Sequence, residues 1–243
     1  MRIDSLQNER VKKWIKLHQK KYREKYDLFL IEEEHLISEA NKKDIIDTLI
    51  ILEGHKNIFN IGNTVYVNSN IMNKLSTNIS SVKYIAVCKK IKKSLNYENR
   101  ILILDNIQDP GNMGTLIRSA LSFGFNQIIA SDNCVDIYND KTLRATQGAL
   151  FHVNFITGDL KKIVSDLKDN SYNVIALTLN NSIFLDELKE TKKMAFVLGN
   201  EGSGIEKSLE DICDYRVKIE MSDFESLNVS IAGSIAMYKF RNI

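Results

Sequence analysis

The sequence predicts an α/β protein: a small α/β domain over residues 1–93, then a larger α/β domain over 98–243 whose sheet is largely parallel. Three observations carry this. Beyond residue 98, short continuous apolar runs alternate with segments whose apolar residues repeat at helical spacing, the pattern of strands buried on both faces by crossover helices. Before Cys88 the apolar runs are interrupted by Gly54 and Gly62 and mixed with short helical patterns, which fits a smaller unit with its own core. Between the two, Lys89 to Tyr97 is polar and basic and reads as a linker.

Taken in order, residues 1–25 hold nine Lys or Arg against three Asp or Glu, a local excess of six positive charges in a chain whose formal net charge is only +2. Val11, Trp14, Ile15, His18 and Tyr22 fall at helical intervals, so the segment is expected to bury one stripe and turn its lysines outward. Those lysines either form a solvated face or track a phosphate backbone, and the second reading implies salt-dependent binding. Residues 29–31, 48–52, 64–67 and 85–87 read as strands, with helices at 34–41 and, capped by Asn68, at 69–75. In the second domain strands are expected at 101–104, 127–130, 153–156, 174–179, 194–198 and 215–221. Helices are expected near 114–123, 141–149, 160–170, 182–190 and 205–210. The last segment, 229–240, is apolar on two sides (Val229, Ala232, Ala236, Met237 and Phe240; Ile231 and Ile235), which fits a helix buried in the domain or at a dimer contact.

Composition narrows the function. With 44% hydrophobic and 26% charged residues, the 243-residue chain has the balance of a water-soluble globular protein. Cys88, Cys134 and Cys213 are odd in number and far apart, and the four histidines lack ligand spacing, so neither a disulfide framework nor a metal mechanism is expected. The polar, basic amino terminus lacks a signal-peptide core, and no apolar run approaches the roughly 18 residues that span a bilayer; the expected location is the cytoplasm.

The chemistry concentrates in three stretches. The first runs Asp105-Asn-Ile-Gln-Asp-Pro110-Gly-Asn112-Met-Gly-Thr-Leu-Ile-Arg118 and reads as strand, stiff loop, helix. Asn112 is expected to cap that helix, whose amino terminus favours polar or anionic groups. Arg118 lies off the apolar stripe, and long helical side chains lean toward the amino terminus, so its guanidinium is expected to reach back toward Asn112. Taken singly, these residues read as a plain cap and a solvated arginine. The second stretch, Leu198-Gly199-Asn200-Glu201-Gly202-Ser203-Gly204, follows an apolar strand, and its glycines let backbone approach a ligand. It matches neither the Walker pattern nor the dinucleotide fingerprint. The third is Ser226-Leu227-Asn228-Val-Ser.

In this order the three motifs resemble the SpoU/TrmH branch of the SPOUT RNA methyltransferases. The resemblance covers roughly 98–243, and less specifically the N-terminal segment, where Ser5-Leu-Gln-Asn8 through Phe29-Leu-Ile-Glu32 is similar to the ribosomal-protein-like substrate-binding domain of these enzymes. It implies a SPOUT α/β domain whose C-terminal segment threads a loop, the resulting deep trefoil knot forming a pocket for S-adenosyl-L-methionine. It further implies cofactor contacts at Gly199, Ile219 and Leu227, with Leu198, Met221 and Thr178 around the adenine and ribose, and a homodimer in which Arg118 acts within or across subunits. Two positions depart from the pattern: Glu220 stands where many relatives have proline, and Glu33 where glycine usually follows Ile-Glu.

Methyl transfer to a ribose 2′-hydroxyl needs an aligned nucleophile, worth about 7–11 kcal/mol, and a group that takes its proton, worth about 10²–10⁴ in rate. The resemblance places Arg118 at the reacting hydroxyl. A guanidinium stays protonated, so Arg118 is better suited to hold the adjacent phosphate and stabilise the developing alkoxide, while a phosphate oxygen, water or Glu201 takes the proton. Asn112, Ser226 and Asn228 would then orient Arg118 and the ribose. Glu201 also has the plainer reading of an acid that complements a helix dipole. The expected activity is ribose 2′-O-methylation of RNA, ribosomal rather than transfer. Two alternatives stand beside it: a non-catalytic RNA-binding protein on the same scaffold, kept open by Glu220, and a nucleotide-dependent enzyme using 101–123 as a phosphate site, against which the missing fingerprints argue.

Overall fold

The computed structural model describes residues 1–78, 82–92, 96–222 and 226–241; residues 93–95 of the expected linker lie outside them. The chain divides into two compact units, and the division is not a single cut. One unit comprises residues 1–92 together with 136–151, the other 93–135 together with 152–243. The continuous boundary near 93–98 is therefore crossed again at 135–136 and at 151–152.

The first unit is built on a five-stranded sheet. Its strands are β1 (Arg2–Ile3), β2 (Leu28–Ile31), β3 (Ile46–Leu52), β4 (Thr64–Val67) and β5 (Tyr84–Lys89), in spatial order β1-β4-β3-β5-β2. The β1-β4 and β4-β3 pairs are parallel, and β5 runs antiparallel to both β3 and β2. The basic N-terminal segment is two helices rather than one amphipathic run: α1 (Glu9–Lys16) and α2 (Lys20–Tyr26). The break comes because Leu17 is drawn into the core beside Val11 and Trp14 and Gln19 turns extended, so the helical stripe cannot continue in register. Helices α3 (Glu34–Lys42) and α4 (Ser69–Leu75) fall where the pattern places them. Glu33 precedes α3 at φ −82°, a conformation any residue adopts, so nothing there requires glycine.

The 136–151 segment completes this unit. It carries the α6 helix (Asp140–Thr146), which stops at Gln147 and Gly148, both at positive φ, before a 3-10 turn at Ala149–Phe151. Tyr138 and Phe151 pack on Phe29, with ring centroids 4.6 and 6.3 Å away. Arg23, 6% exposed, donates to Asp136 Oδ2 at 2.6 Å and to the carbonyls of Leu17 and His18.

In the second unit, β6 (Arg100–Leu104), β7 (Gln127–Ala130), β8 (Asn154–Thr157), β9 (Asn173–Leu177), β10 (Ile183–Phe184), β11 (Met194–Leu198) and β12 (Tyr215–Lys218) form one parallel sheet, ordered β10-β12-β9-β11-β6-β7-β8. Every residue of β6 and β11 is buried, as the unbroken apolar runs require. Between β6 and β11 the strand order reverses direction, the kind of switch point where α/β sheets bind ligands at the carboxyl ends of their strands. The helices are α5 (Pro110–Ser122), α7 (Leu160–Asp169), α8 (Lys207–Glu210) and α9 (Val229–Lys239). The helix expected at 182–190 is instead β10 and a 3-10 turn at Leu185–Glu187: Ile183 and Phe184 pair with Val217 and Lys218, and sheet pairing takes the backbone groups a helix would have used. No described helix is long and apolar enough to cross a membrane.

Candidate active site

The site is assembled by the segments that leave the carboxyl ends of β6, β11 and β12. The α5 helix begins earlier than expected, at Pro110, where a missing N–H costs nothing, and its cap is Asp109, whose Oδ1 accepts from Asn112 N at 2.8 Å. Asn112 is therefore not the cap. Standing third in the helix, it has its side chain free to turn across to the other two motifs. Its Oδ1 accepts from Asn228 Nδ2 at 3.0 Å, and its Nδ2 donates to Glu201 Oε1 at 2.9 Å. Asn228 in turn caps α9, its Oδ1 accepting from Ser230 N at 2.9 Å and Ser230 Oγ at 2.6 Å. Asn112 is thus joined to residues 89 and 116 positions away by one directed relay, Asn228 to Asn112 to Glu201.

The loop that presents Glu201 is closed on itself. Asn200 and Gly204 exchange two backbone hydrogen bonds of 2.9 Å, and the Asn200 side chain accepts from Gly202 N and Ser203 N while donating to Asn106 O at 2.9 Å. A Cβ on Gly199 would lie 2.2 Å from Gly204 C and Ile205 N. Gly199 is glycine because the loop's own backbone passes there, rather than to leave room for a ligand. Asn200 is not among the expected site residues, although an amide flanked by glycines is a turn-forming signal.

Beside the relay lies a cavity of about 580 Å³ at the carboxyl ends of β9, β11 and β12, within the range of small-molecule sites. Thr178, Leu198, Gly199, Ile219, Met221 and Leu227 all line it, as do Ser226, Asn228 and Glu201. Its walls are mixed in the way an adenosine with a charged amino-acid tail requires: aliphatic faces from Leu198, Ile219 and Leu227, and exposed backbone and amide groups from the 199–204 loop. Glu220 lies between two lining residues yet does not line the cavity and is exposed, so the departure at this position leaves the pocket clear. The expected strand ends at Lys218, and this frees Ile219 and Met221 to form the wall.

Arg118 stands apart. It is exposed on α5 and makes no hydrogen bond or ion pair among the described residues, so no bond ties it to Asn112 within one chain. Asn112 and Arg118 are six positions apart, about 120° around the helix, so they leave it on different faces. Arg118 shares its exposed stripe with Gly111 and Thr115. The thiols take no part: burial pushes all three up from the ordinary range, Cys213 to about 12. Among the described residues, no group of three or more His, Cys, Asp or Glu is placed to hold a metal ion.

This fold and this relay define a class. Residues 99–238 match the SpoU rRNA Methylase family, and residues 8–86 match the MRM3-like substrate binding domain. The chain belongs to the SpoU rRNA methylase family. It is 34% identical over 244 residues to the 23S rRNA (guanosine(2553)-2′-O)-methyltransferase RlmP of Bacillus subtilis strain 168, covering 98% of both chains. Among solved structures, the AdoMet-bound rRNA methyltransferase of Sinorhizobium meliloti superposes with a TM-score of 0.86 at 24% identity, over 98% of this chain and 96% of that one. The SpoU methyltransferase AviRb of Streptomyces viridochromogenes, in complex with AdoMet, gives 0.85 at 21%, over 96% and 97%.

Proposed function

We propose that this protein is a cytoplasmic enzyme that transfers a methyl group from S-adenosyl-L-methionine to a ribose 2′-oxygen of ribosomal RNA. The observation that carries this reading is the Asn228–Asn112–Glu201 relay on the rim of a cavity suited to the cofactor. When bound, S-adenosyl-L-methionine supplies a methyl group on a positively charged sulfonium. The aliphatic wall of Leu198, Ile219 and Leu227 keeps water from that centre, and backbone groups of 199–204 and 217–219 read the polar edge of the adenosine. Arg118 holds the phosphate next to the reacting ribose and stabilises negative charge as it grows on the 2′-oxygen. The proton leaves to a phosphate oxygen, to water or to the Glu201 carboxylate, which Asn112 keeps oriented. Ser226, on the cavity wall, positions the sugar.

The working form in this reading is a homodimer. One face of α9 carries Ile231, Ile235 and Tyr238, exposed by 51%, 39% and 56%. They follow one another at helical spacing, whereas the opposite face packs on α5. A second copy covering that stripe lies beside α5, where Arg118 lacks a partner, so Arg118 serves the site across the interface. With Glu220 outside the cavity, the feature that favoured a non-catalytic scaffold is gone.

The test is transfer of labelled methyl groups from S-adenosyl-L-methionine into ribosomal RNA, with the modified nucleotide mapped as a 2′-O-methyl ribose. Arg118→Ala is expected to lower turnover on the order of 10²–10³-fold while calorimetric cofactor affinity holds. Wild-type turnover in a folded Arg118→Ala protein would remove the residue from the mechanism.

A further inference from the structure

Of the nine cations in residues 1–25, Arg10 lies over Trp14, 5.1 Å from its ring centroid, and donates to Thr48 Oγ1, and the other eight fall into two groups. Lys12 pairs with Glu9 at 3.0 Å, Lys20 with Glu24 at 4.0 Å, Arg2 with Asp4 and Glu53, and Arg23 with Asp136. Lys13, Lys16, Lys21 and Lys25 have no carboxylate in ion-pair range among the described residues. All four sit on tyrosine rings. The ammoniums of Lys13 and Lys25 lie 4.8 and 5.8 Å from the centroid of Tyr26, and those of Lys16 and Lys21 lie 5.6 and 4.8 Å from that of Tyr22. The two rings are themselves stacked, 6.1 Å apart and within 14° of parallel.

A cation over an aromatic face is held in place without being neutralised. Four lysine tails that would otherwise wander are therefore gathered around one tyrosine pair with their charge unspent. This lowers the ordering cost when a partner arrives. The arrangement suits a row of negative charges that is itself regular, and a nucleic-acid backbone is such a row.

We propose that Lys13, Lys16, Lys21 and Lys25, mounted on Tyr22 and Tyr26, form the dock for the RNA phosphate backbone on the accessory unit. The proposal rests on the RNA reading above and adds to it which face takes the strand. The face engages phosphate and not base edges, so it supplies affinity and leaves the choice of nucleotide to other groups.

The experiment uses the full chain, without cofactor, and a fluorescently labelled, mixed-sequence RNA hairpin, with Kd measured across a series of salt concentrations. Replacing the four lysines by glutamine is expected to raise Kd by tenfold or more near 0.1 M salt. It should also flatten the slope of log K against log[salt] by about 3, from roughly 0.7–0.9 for each phosphate no longer neutralised. The comparison variant replaces Lys42, Lys56, Lys74 and Lys83, four exposed lysines of the same unit, by glutamine, so that the same net charge is removed elsewhere. It is expected to change the slope by less than about 1. Equal effects of the two variants, an unchanged slope in the first, or binding of polyglutamate as tight as that of RNA would overturn the proposal. Methyl transfer, measured separately over a range of RNA concentrations up to saturation, is expected to keep its wild-type kcat with a raised KM. Because the binding assay needs no chemistry, an absence of methyl transfer would count against the enzymatic reading and leave the dock standing.

Discussion

Asn112 sits where the three motifs meet, and its two ends do different work. Its carbonyl oxygen takes the Asn228 amide, which ties it to the cap of α9, and its amide nitrogen turns the Glu201 carboxylate toward the cavity rim. Asn112→Ala removes both bonds and adds no bulk. At about 0.5–1.5 kcal/mol each, their loss should lower kcat between about 5-fold and about 160-fold, with cofactor affinity nearly unchanged, because Asn112 does not line the cavity. A fall in cofactor affinity equal to the fall in kcat would show that it supports the pocket instead. At this scale the sequence is partly legible. It singles out Asn112, Glu201 and Asn228, and these three touch. It misleads on how Asn112 is held, because Pro110 reads as loop when it is the first residue of the helix and Asp109 the cap. It also expects the Arg118 side chain to lean back toward Asn112, and among the described residues no hydrogen bond joins the two, which leave the helix about 120° apart.

The site's elements are held together where α9 crosses α5 over the end of β11. A Cβ on Gly233 would lie 2.5 Å from Leu198 Cδ1 and 2.7 Å from Leu116 Cδ2, so a side chain there fits only if both leucine tips move. Ser119 Oγ and Ser234 Oγ, 2.7 Å apart, seal the same crossing. Gly233→Ala is expected to cost about 1–3 kcal/mol of overpacking and to lower Tm by about 2–4 °C per kcal/mol. It should also weaken cofactor binding, because Leu198, the residue it displaces, is a cavity wall; an unchanged Tm would show that both leucines simply rotate away. Most elements are readable from hydrophobic period alone: 127–130, 194–198, 64–67 and 69–75 fall residue for residue where the pattern puts them. The failures share a cause. At 182–190 the run Ile183-Phe184-Leu185 with Leu188 imitates a helical repeat, and pairing with β12, distant along the chain and invisible to a local pattern, decides for strand. At 1–25 the repeat is real, but Leu17 and Gln19 break it into two helices.

Across the whole chain, the order of strands in the second unit is not written in any local pattern. Alternation implies a parallel sheet, but the reversal between β6 and β11 comes from the path of the chain. The return of 136–151 to the first unit is equally hidden, since its helical pattern reads the same in either unit. Asp136 shows the physical effect of that return. Arg23 is 6% exposed, and Asp136 is the carboxylate that balances it; the remaining partners, two carbonyls, bring no charge. Removing one partner of a buried pair leaves the other charge uncompensated, at a cost of about 3–5 kcal/mol. Asp136→Ala is therefore expected to destabilise the first unit by roughly that amount, read as an earlier calorimetric transition, while cofactor binding in the second unit keeps its affinity. Replacing Arg23 and Asp136 together by Met and Leu should restore much of the loss, because a well-packed apolar pair of similar volume is often as stable as the buried ions. If the single variant melts like wild type, water reaches Arg23 and 136–151 is held to the first unit by its other contacts, among them Tyr138 and Phe151 on Phe29 and the Ile91 N–H donated to the Tyr138 hydroxyl.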